Sequence, residues 1–210
     1  MNKLMIFDFD GTLMDTNSVI IDSLNAAVHA SLDRYLTDEE LQTILGRPLR
    51  EQMGMVSETH CDAMVAFYRQ YYRAHQEGRV FPFEGVLQML KALKAESVTC
   101  AILTNKGRNG LTKGLETHGM TDFFTYSLCA DDIERTKPDP YGILKIASEL
   151  SFDLKDVFMI GDSAHDIEAG KNAGVTTVLV GWSILKMEVL KALEPDYIIN
   201  HPLDLLKRIM

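Results

Sequence analysis

The sequence predicts an α/β fold, in which an all-helical domain is inserted into a doubly wound and mostly parallel sheet. Short, continuously apolar runs recur along the chain, which is typical of strands buried on both faces of a sheet. Helical patterns fall between these runs, and strands that alternate with helices favour a doubly wound sheet. A long stretch near the start of the chain breaks this alternation and shows helical periodicity alone.

The apolar runs differ in strength. The four strongest strand candidates cover residues 4–7, 98–103, 157–160 and 176–180. Weaker candidates lie at 123–129 and 197–199. Helices are predicted between the strands, at about 86–94, 108–118, 141–150 and 166–173.

The stretch from about residue 16 to 81 is predicted to form the inserted helices. Thr37 to Glu40 has the form of a capping box that starts a helix, and Gly46 suits the end of that helix. A further helix is expected at about 61–76. We therefore predict a core domain formed by residues 1–15 and 83–210 and a helical cap domain formed by residues 16–82.

The composition excludes some classes of partner. The formal net charge of −9 disfavours nucleic acid and anionic membranes, while small anionic substrates stay open. No apolar run approaches the roughly 18 residues of a membrane span, and no signal-peptide pattern is present, so a cytoplasmic protein is expected. Cys61, Cys100 and Cys129 form no CxxC pair and predict neither disulfides nor a zinc site. Whether the protein is a monomer or a homodimer is not predicted.

Three predicted strands end in residues that could carry chemistry. Asp8 to Thr12 follow the strand predicted at 4–7, and Thr104 and Asn105 follow the strand predicted at 98–103. Gly161 to Asp166 follow the strand predicted at 157–160. Ligands of open α/β sheets bind outside the carboxyl ends of the strands, so these residues are expected at one edge. Lys137 would reach this edge from a loop stiffened by two prolines.

Four carboxylates at one edge would repel one another; they belong to Asp8, Asp10, Asp162 and Asp166. A divalent cation and a lysine would offset the repulsion, and hard oxygen ligands suit Mg²⁺. Asp8 and Asp162 are predicted as direct ligands. Asp166 is expected to hold a metal-bound water or to orient Lys137.

These motifs resemble those of a known superfamily. The segment from Asp8 to Asp15 (DFDGTLMD), Thr104, Lys137 and the segment from Gly161 to Asp166 resemble, in order, the four motifs of the haloacid dehalogenase superfamily. The helical insertion resembles that superfamily's cap, and residues 166–174 are similar to its phosphoglycolate-phosphatase-like branch. The resemblance implies Mg²⁺-dependent hydrolysis of a phosphate monoester, with a small phosphorylated metabolite as the substrate.

The resemblance also implies roles for individual residues. Asp8 would be the nucleophile and Asp10 the general acid and base, with the Asp10 backbone carbonyl as a further metal ligand. The metal set is then Asp8, Asp10, Asp162 and Asp166. Phosphoryl oxygens would be held by Thr104, Asn105, Lys137 and the backbone around Gly11. Arg47 in the cap could contact the leaving group and would suit a carboxylate.

Other activities were weighed on the same residues. A dehalogenase needs no acid two residues after the nucleophile, where this chain has Asp10. A phosphonate-cleaving relative would need a lysine in the cap. A sugar-phosphate mutase of this kind typically has a cap histidine near the position of Ile20, which disfavours a mutase. Pyrophosphatase and nucleotidase activities stay open. A response-regulator receiver would carry its acid at the third strand, and nothing in the sequence supports a non-catalytic binding relative.

Several further side chains were interpreted as structural. Lys106 and Arg108 follow the second strand and are expected to be solvated surface charges more often than anion-binding groups. His165 is not expected to bind metal. The aromatic residues Phe67, Tyr68, Tyr71 and Tyr72 have helical spacing and are interpreted as packing between cap helices.

Overall fold

The computed structural model describes residues 3–209. Its strands are β1 (Leu4–Phe7), β2 (Met14–Asp15), β3 (Phe81–Pro82), β4 (Thr99–Leu103), β5 (Tyr126–Leu128), β6 (Val157–Gly161), β7 (Thr176–Val180) and β8 (Tyr197–Ile199). Its α-helices are α1 (Asn17–Leu32), α2 (Asp38–Ile44), α3 (Leu49–Val56), α4 (Cys61–His75), α5 (Val86–Ala95), α6 (Arg108–Thr117), α7 (Tyr141–Glu149), α8 (Ala164–Ala173), α9 (Met187–Lys191) and α10 (Leu206–Ile209).

Six strands form one parallel sheet in the order β5-β4-β1-β6-β7-β8. The predicted α/β class is confirmed, and both weak strand candidates are strands at the two edges of the sheet. Helices cover both faces, because successive side chains of a strand point to opposite sides. Met5 and Phe7 pack with α5 and α6, while Leu4 and Ile6 pack with α7 and α8.

The register of the three central strands brings their carboxyl ends together. Phe7 at the end of β1 pairs with Ile102 of β4 on one side and with Ile160 of β6 on the other. The backbone N–H of Asp8 still donates to the Ile160 carbonyl at 2.9 Å. The residues that follow these strands therefore emerge side by side at one edge of the sheet.

Residues 16–80, all of which the structure describes, form α1 to α4 and contain no strand. These helices bury an apolar cluster of their own, which includes Leu24, Met53 and Met64. The predicted capping box is present, since the Thr37 side chain accepts from the Glu40 N–H and the Glu40 side chain accepts from the Thr37 N–H. Helix α2 ends at Ile44, two residues before Gly46, whose φ is +87°.

The chain leaves the sheet for these helices and returns through a short two-stranded ribbon. In this ribbon β2 and β3 pair antiparallel, with Met14 opposite Pro82 and Asp15 opposite Phe81. The ribbon lies at the expected boundaries between core and cap, and the division into residues 1–15 with 83–210 and residues 16–82 stays a prediction. Within the described part of the chain, none of the helices has both the length and the apolar character that a membrane span needs.

Candidate active site

Three carboxylates meet at the carboxyl edge of the sheet. Asp8 follows β1, Asp162 follows β6, and Asp166 lies in the first turn of α8. One oxygen from each lies within 4.8 Å of the others, and their exposed fractions are 7%, 8% and 0%. Carboxylates are rarely buried so fully without a partner, so the cluster needs positive charge.

Helix capping explains why Asp166 is held in place. The N–H and the Oγ of Ser163 both donate to Asp166 Oδ2, at 3.0 and 2.6 Å, in a capping box at the start of α8. The second carboxylate oxygen, Oδ1, accepts from Lys137 Nζ at 2.6 Å. Asp166 is thus fixed on both sides, and its capping role accompanies its place in the acidic cluster.

Lys137 is the cation of this cluster. Its side chain is 1% exposed, and Nζ lies 3.1 Å from Asp8 Oδ1 as well as 2.6 Å from Asp166. Burial disfavours the charged form of this amine, but the charges of Asp166 and Asp8 outweigh burial and raise the pKa of Lys137. The lysine therefore stays protonated, and its ion pairs connect the loop before α7 with the end of β1 and the first turn of α8.

One lysine does not balance three carboxylates. Burial raises the pKa of Asp8 to about 6, opposed by Lys137 and assisted by the charge of Asp166. Burial also raises the pKa of Asp162 well above its usual range, and the charges of Asp166 and Asp8 add to the shift. The cluster is an oxygen-rich donor set with excess negative charge, which fits a hard divalent cation.

The loop after β1 approaches this cluster closely. Thr12 Oγ1 donates to Asp162 Oδ1 at 3.1 Å, and Gly11 has a φ of +76°. A Cβ atom on Gly11 would lie 2.3 Å from Asp162 Oδ2. Glycine at this position therefore permits both the turn and the close approach to the acid.

Asp10 lies outside the three-acid cluster and has a cation of its own. Both of its carboxylate oxygens accept from Lys106 Nζ, at 3.0 and 2.9 Å. The Lys106 side chain is only 12% exposed, so its interpretation as a solvated surface charge is wrong. By contrast, Arg108 is a partly exposed residue that bonds Ser127 and Asp132.

Of the remaining predicted residues, Thr104 and Asn105 lie at the site, whereas Arg47 bonds other groups. Thr104 is buried at the end of β4, and its Oγ1 accepts from the Lys106 N–H at 3.2 Å. Asn105 joins the site to the helical segment, since its Nδ2 donates to the Gly46 carbonyl at 2.8 Å. The Arg47 guanidinium bonds Glu51 and the Thr43 carbonyl instead of the acids. Its contact with a leaving group stays a prediction.

The sequence interpretation missed the contribution of helix α4. Tyr72 is buried, and its hydroxyl lies 3.3 Å from Lys106 Nζ. Its ring centroid lies 4.7 Å from the same atom, and its neighbour on the helix face, Tyr68, stacks on it at 5.8 Å. The spacing of four residues correctly placed the two tyrosines on one face, but periodicity alone did not show that this face meets the core.

Among the described residues, His165 is not part of the cluster of Asp8, Asp162 and Asp166, and the expectation that it binds no metal stays a prediction. It is buried, and among the described residues its Nδ1 has no hydrogen-bond partner. Burial lowers the pKa of His165, and the charge of Arg47 lowers it further. The side chain lies beside Gly46, where a Cβ atom would be 3.2 Å from His165 Cδ2.

The fold and the site define a class of protein. The sequence motifs implied a parallel sheet with acids after two strands, a polar residue after a third and a buried lysine nearby. The structure has this arrangement, with the acids after β1 and β6 and the polar residue after β4. The family model of haloacid dehalogenase-like hydrolases matches residues 5–180, and the chain belongs to that family. The predicted superfamily is thereby confirmed.

Individual relatives span nearly the whole chain. Pyrophosphatase PpaX of Listeria monocytogenes is 36% identical over 203 residues, which cover 96% of this chain and 94% of the relative. Among solved structures, a predicted phosphoglycolate phosphatase from Haemophilus somnus has a TM-score of 0.88 at 22% identity and covers 100% of this chain and 98% of its own. A haloacid dehalogenase-like hydrolase from Streptococcus pneumoniae has a TM-score of 0.85, also at 22% identity, covering 100% and 99%. At that identity, the two structures support the fold alone.

Proposed function

We propose that the protein hydrolyses a small phosphorylated metabolite, a phosphate monoester, in a Mg²⁺-dependent reaction through an aspartyl-phosphate on Asp8. The observation that carries the proposal is the position of the Asp8 carboxylate. It follows the central strand, lies within 4.8 Å of Asp162 and Asp166, and is 3.1 Å from Lys137 Nζ. A nucleophile that attacks a phosphate dianion needs positive charge around it, which Lys137 and a cation held by the three acids would supply.

The first half-reaction transfers the phosphoryl group to the enzyme. A carboxylate oxygen of Asp8 forms a bond to phosphorus while the bond between phosphorus and the leaving oxygen breaks. Asp10, in its protonated form, gives its proton to the leaving oxygen, so that an alcohol departs. Asp10 lies two residues beyond the nucleophile in the same loop and outside the three-acid cluster, which suits a group that acts on the leaving oxygen.

The second half-reaction releases inorganic phosphate. Asp10, now a carboxylate, takes a proton from a water molecule as that water attacks the phosphorus. The bond between phosphorus and Asp8 breaks, and the carboxylate of Asp8 is restored. The proton gained by Asp10 restores the starting state, so the two steps together consume one water and one ester.

Charge and position are the other requirements of phosphoryl transfer. Lys137 and the Thr104 hydroxyl are proposed to bind phosphoryl oxygens, together with backbone N–H groups near Gly11 and Asn105. Asp8, Asp162 and the Asp10 backbone carbonyl would hold Mg²⁺, with Asp166 orienting Lys137 or a metal-bound water. Bound there, the cation would neutralise charge on the phosphoryl oxygens and offset the repulsion among the acids.

Pyrophosphate is the second candidate substrate. The supporting observation is the 36% identity over 203 residues to a protein named pyrophosphatase. The same residues would serve, because the leaving group is then a phosphate instead of an alcohol. A mutase is disfavoured by Ile20, which stands where the mutase pattern has a histidine.

The experiment is phosphate release from a panel of phosphate esters and pyrophosphate, with Mg²⁺ and with a chelator. Asp8→Asn protein is the blank, and Asp122→Asn is the matched control, since Asp122 is an exposed acid away from the site. We expect Mg²⁺-dependent release by the natural protein and the control, and none by the blank. Equal release by Asp8→Asn, or no release from any compound, would overturn the proposal.

A further inference from the structure

We propose that Lys106 selects a leaving group that carries its own negative charge, such as a carboxylate or a second phosphate. This inference rests on the proposed function and narrows its substrate class. It follows from the juxtaposition of Lys106 with the carboxylate of Asp10 on one side and with helix α4 on the other. The sequence interpretation considered Lys106 as an anion-binding group but favoured a solvated surface charge.

The position of the ammonium is tightly defined. Nζ lies 3.0 and 2.9 Å from the two Asp10 oxygens and 3.3 Å from the Tyr72 hydroxyl. The Tyr72 ring centroid is 4.7 Å away and that of Phe9 is 5.9 Å away. With 12% of its side chain exposed, the ammonium is largely withdrawn from water at the junction between the core and the helices.

The chemistry of Asp10 places the leaving group near this ammonium. A residue that exchanges a proton with the leaving oxygen must lie within hydrogen-bond distance of it. Lys106 contacts the same carboxylate, so its Nζ is within two hydrogen-bond lengths, about 6 Å, of the leaving oxygen. Groups one or two bonds beyond that oxygen can therefore reach Lys106.

An anionic leaving group can offer Lys106 what a neutral one cannot. The ammonium has three donors, and Asp10 and Tyr72 occupy them. A leaving group that enters beside Asp10 disturbs these contacts, and a buried ammonium without acceptors is unfavourable. A carboxylate or phosphate supplies replacement oxygens and a charge, and the low exposure strengthens that attraction.

Arg47, the cation that the sequence indicated for this task, is engaged elsewhere. Its guanidinium bonds Glu51 and the Thr43 carbonyl, both on the helical segment. Lys106 instead contacts the proposed acid and base directly. The structure thus favours Lys106 over Arg47 as the group that senses charge on the leaving group.

A pair of matched esters tests the inference. Phosphoglycolate and 2-hydroxyethyl phosphate are close in size, but only the former has a leaving group with a carboxylate. We expect Lys106→Met to lower the ratio of kcat/KM for phosphoglycolate to that for 2-hydroxyethyl phosphate by roughly 10- to 100-fold, the loss of one hydrogen bond to a charged group. Pyrophosphate should follow phosphoglycolate, and Lys106→Arg should keep most of the ratio.

Each outcome has a distinct meaning. Equal loss on both esters in Lys106→Met would show that Lys106 only positions Asp10, and would overturn the inference while leaving the proposed function intact. If the natural protein turned over neither phosphoglycolate nor pyrophosphate but hydrolysed an ester with an uncharged leaving group, the inference alone would be overturned. No release from any compound of the panel would overturn both. If the Lys106→Met protein unfolds at the same temperature as the natural protein, the change in the ratio reports recognition of the leaving group and not misfolding.

Discussion

The two regions of the molecule contribute to the site in opposite ways. From the sheet and its loops come Asp8, Asp162, Asp166 and Lys137, which are almost fully buried. Lys137 bonds Asp8 and Asp166, and the three acids lie within 4.8 Å of one another. The helical segment, by contrast, reaches the site at a few points on its surface. Groups that are fixed by the ends of paired strands suit chemistry common to all substrates. Groups on a separately packed unit suit discrimination among substrates.

The packing of the two regions supports this division. The sheet has an apolar cluster on each face, and helices α1 to α4 share a third cluster. Polar bonds between the regions are local: Asn105 bonds the Gly46 carbonyl, Lys106 bonds Tyr72, and Gln42 bonds the backbone of Ile184 and Lys186. Substitutions in the core should therefore affect every substrate, and those at these contacts should change substrates unequally.

After the loss of the nucleophile in Asp8→Asn, a large effect on turnover is expected from another change in the core, Asp10→Asn. It removes the proton donor and acceptor, which typically costs about 10²- to 10⁴-fold in kcat. Steady-state kinetics on an alkyl phosphate and on p-nitrophenyl phosphate check this, because the better leaving group needs less protonation and should lose less. A loss below tenfold on the alkyl phosphate would contradict the role of Asp10.

The next largest loss of activity is expected from Lys137→Met. Its kcat should fall by about 10²- to 10³-fold on all substrates, as is typical when one donor that stabilises transition-state charge is removed. The fold should also weaken without metal, since Asp166 and Asp8 would lose their cation; breaking a buried ion pair costs about 3–5 kcal/mol. Denaturant unfolding and phosphate release measure the two effects. Lys113→Met, at an exposed position on α6, is the control and should change neither. A loss confined to one substrate would break the contrast between core and cap.

The positions of the acids in the core could be predicted from the sequence, because few physical rules determine them. Continuous apolar runs indicate a parallel sheet, and the register of such a sheet puts the residues after β1, β4 and β6 at one edge. Asp8, Asp162 and Asp166 therefore had to be neighbours once the strands were located. Their roles in catalysis remain proposals, but their proximity followed from local pattern.

The contacts of the helical segment could not be predicted in this way. Periodicity gives the face on which Tyr68 and Tyr72 lie, but it does not give the surface that this face meets. Lys106 accordingly was interpreted as solvated, because its partners Asp10 and Tyr72 are 96 and 34 residues away in the chain. Arg47 was favoured because of its charge, although Glu51, one helical turn further on, takes its guanidinium.

Gly46→Ala tests the cap side of the comparison with a smaller expected effect. A Cβ atom there would lie 3.0 Å from Ser163 Cβ and 3.2 Å from His165 Cδ2, at the contact between α2 and the loop before α8. We expect kcat/KM to fall by roughly tenfold, and unequally among substrates, because misplacement of a closing element impairs the site. Steady-state kinetics on the ester panel measure this.

Gly78→Ala is the matched control for that substitution. Gly78 has a φ of +71° against +87° for Gly46, so both variants carry similar backbone strain. Apart from its two chain neighbours, no atom of the residues that the structure describes lies within 4 Å of a Cβ built on Gly78. Equal losses of activity in the two variants would mean that strain, and not the contact with the core, is responsible.

The smallest expected effect is a change in the free energy of unfolding, which tests whether repulsion within the acidic cluster destabilises the fold. Asp162→Asn should abolish or severely reduce activity and yet stabilise the metal-free protein at pH 7.5, because it removes one of three buried like charges. Each kcal/mol gained corresponds to about 2–4 °C in Tm for a chain of this size. Mg²⁺ should raise the Tm of the natural protein and have little effect on the variant.

The pH dependence of the same melts gives an independent sign. The pKa of Asp8 is raised to about 6 and that of Asp162 is also raised, so the folded protein binds protons more tightly than the unfolded chain does. Without metal, the natural protein should therefore gain stability as the pH falls from about 7 to 5 and lose it as the pH rises through this range. Asp162→Asn should flatten this dependence, while Asp122→Asn should reproduce it. A metal-free natural protein that is more stable than Asp162→Asn at pH 7.5 would show that Lys137 alone balances the three acids.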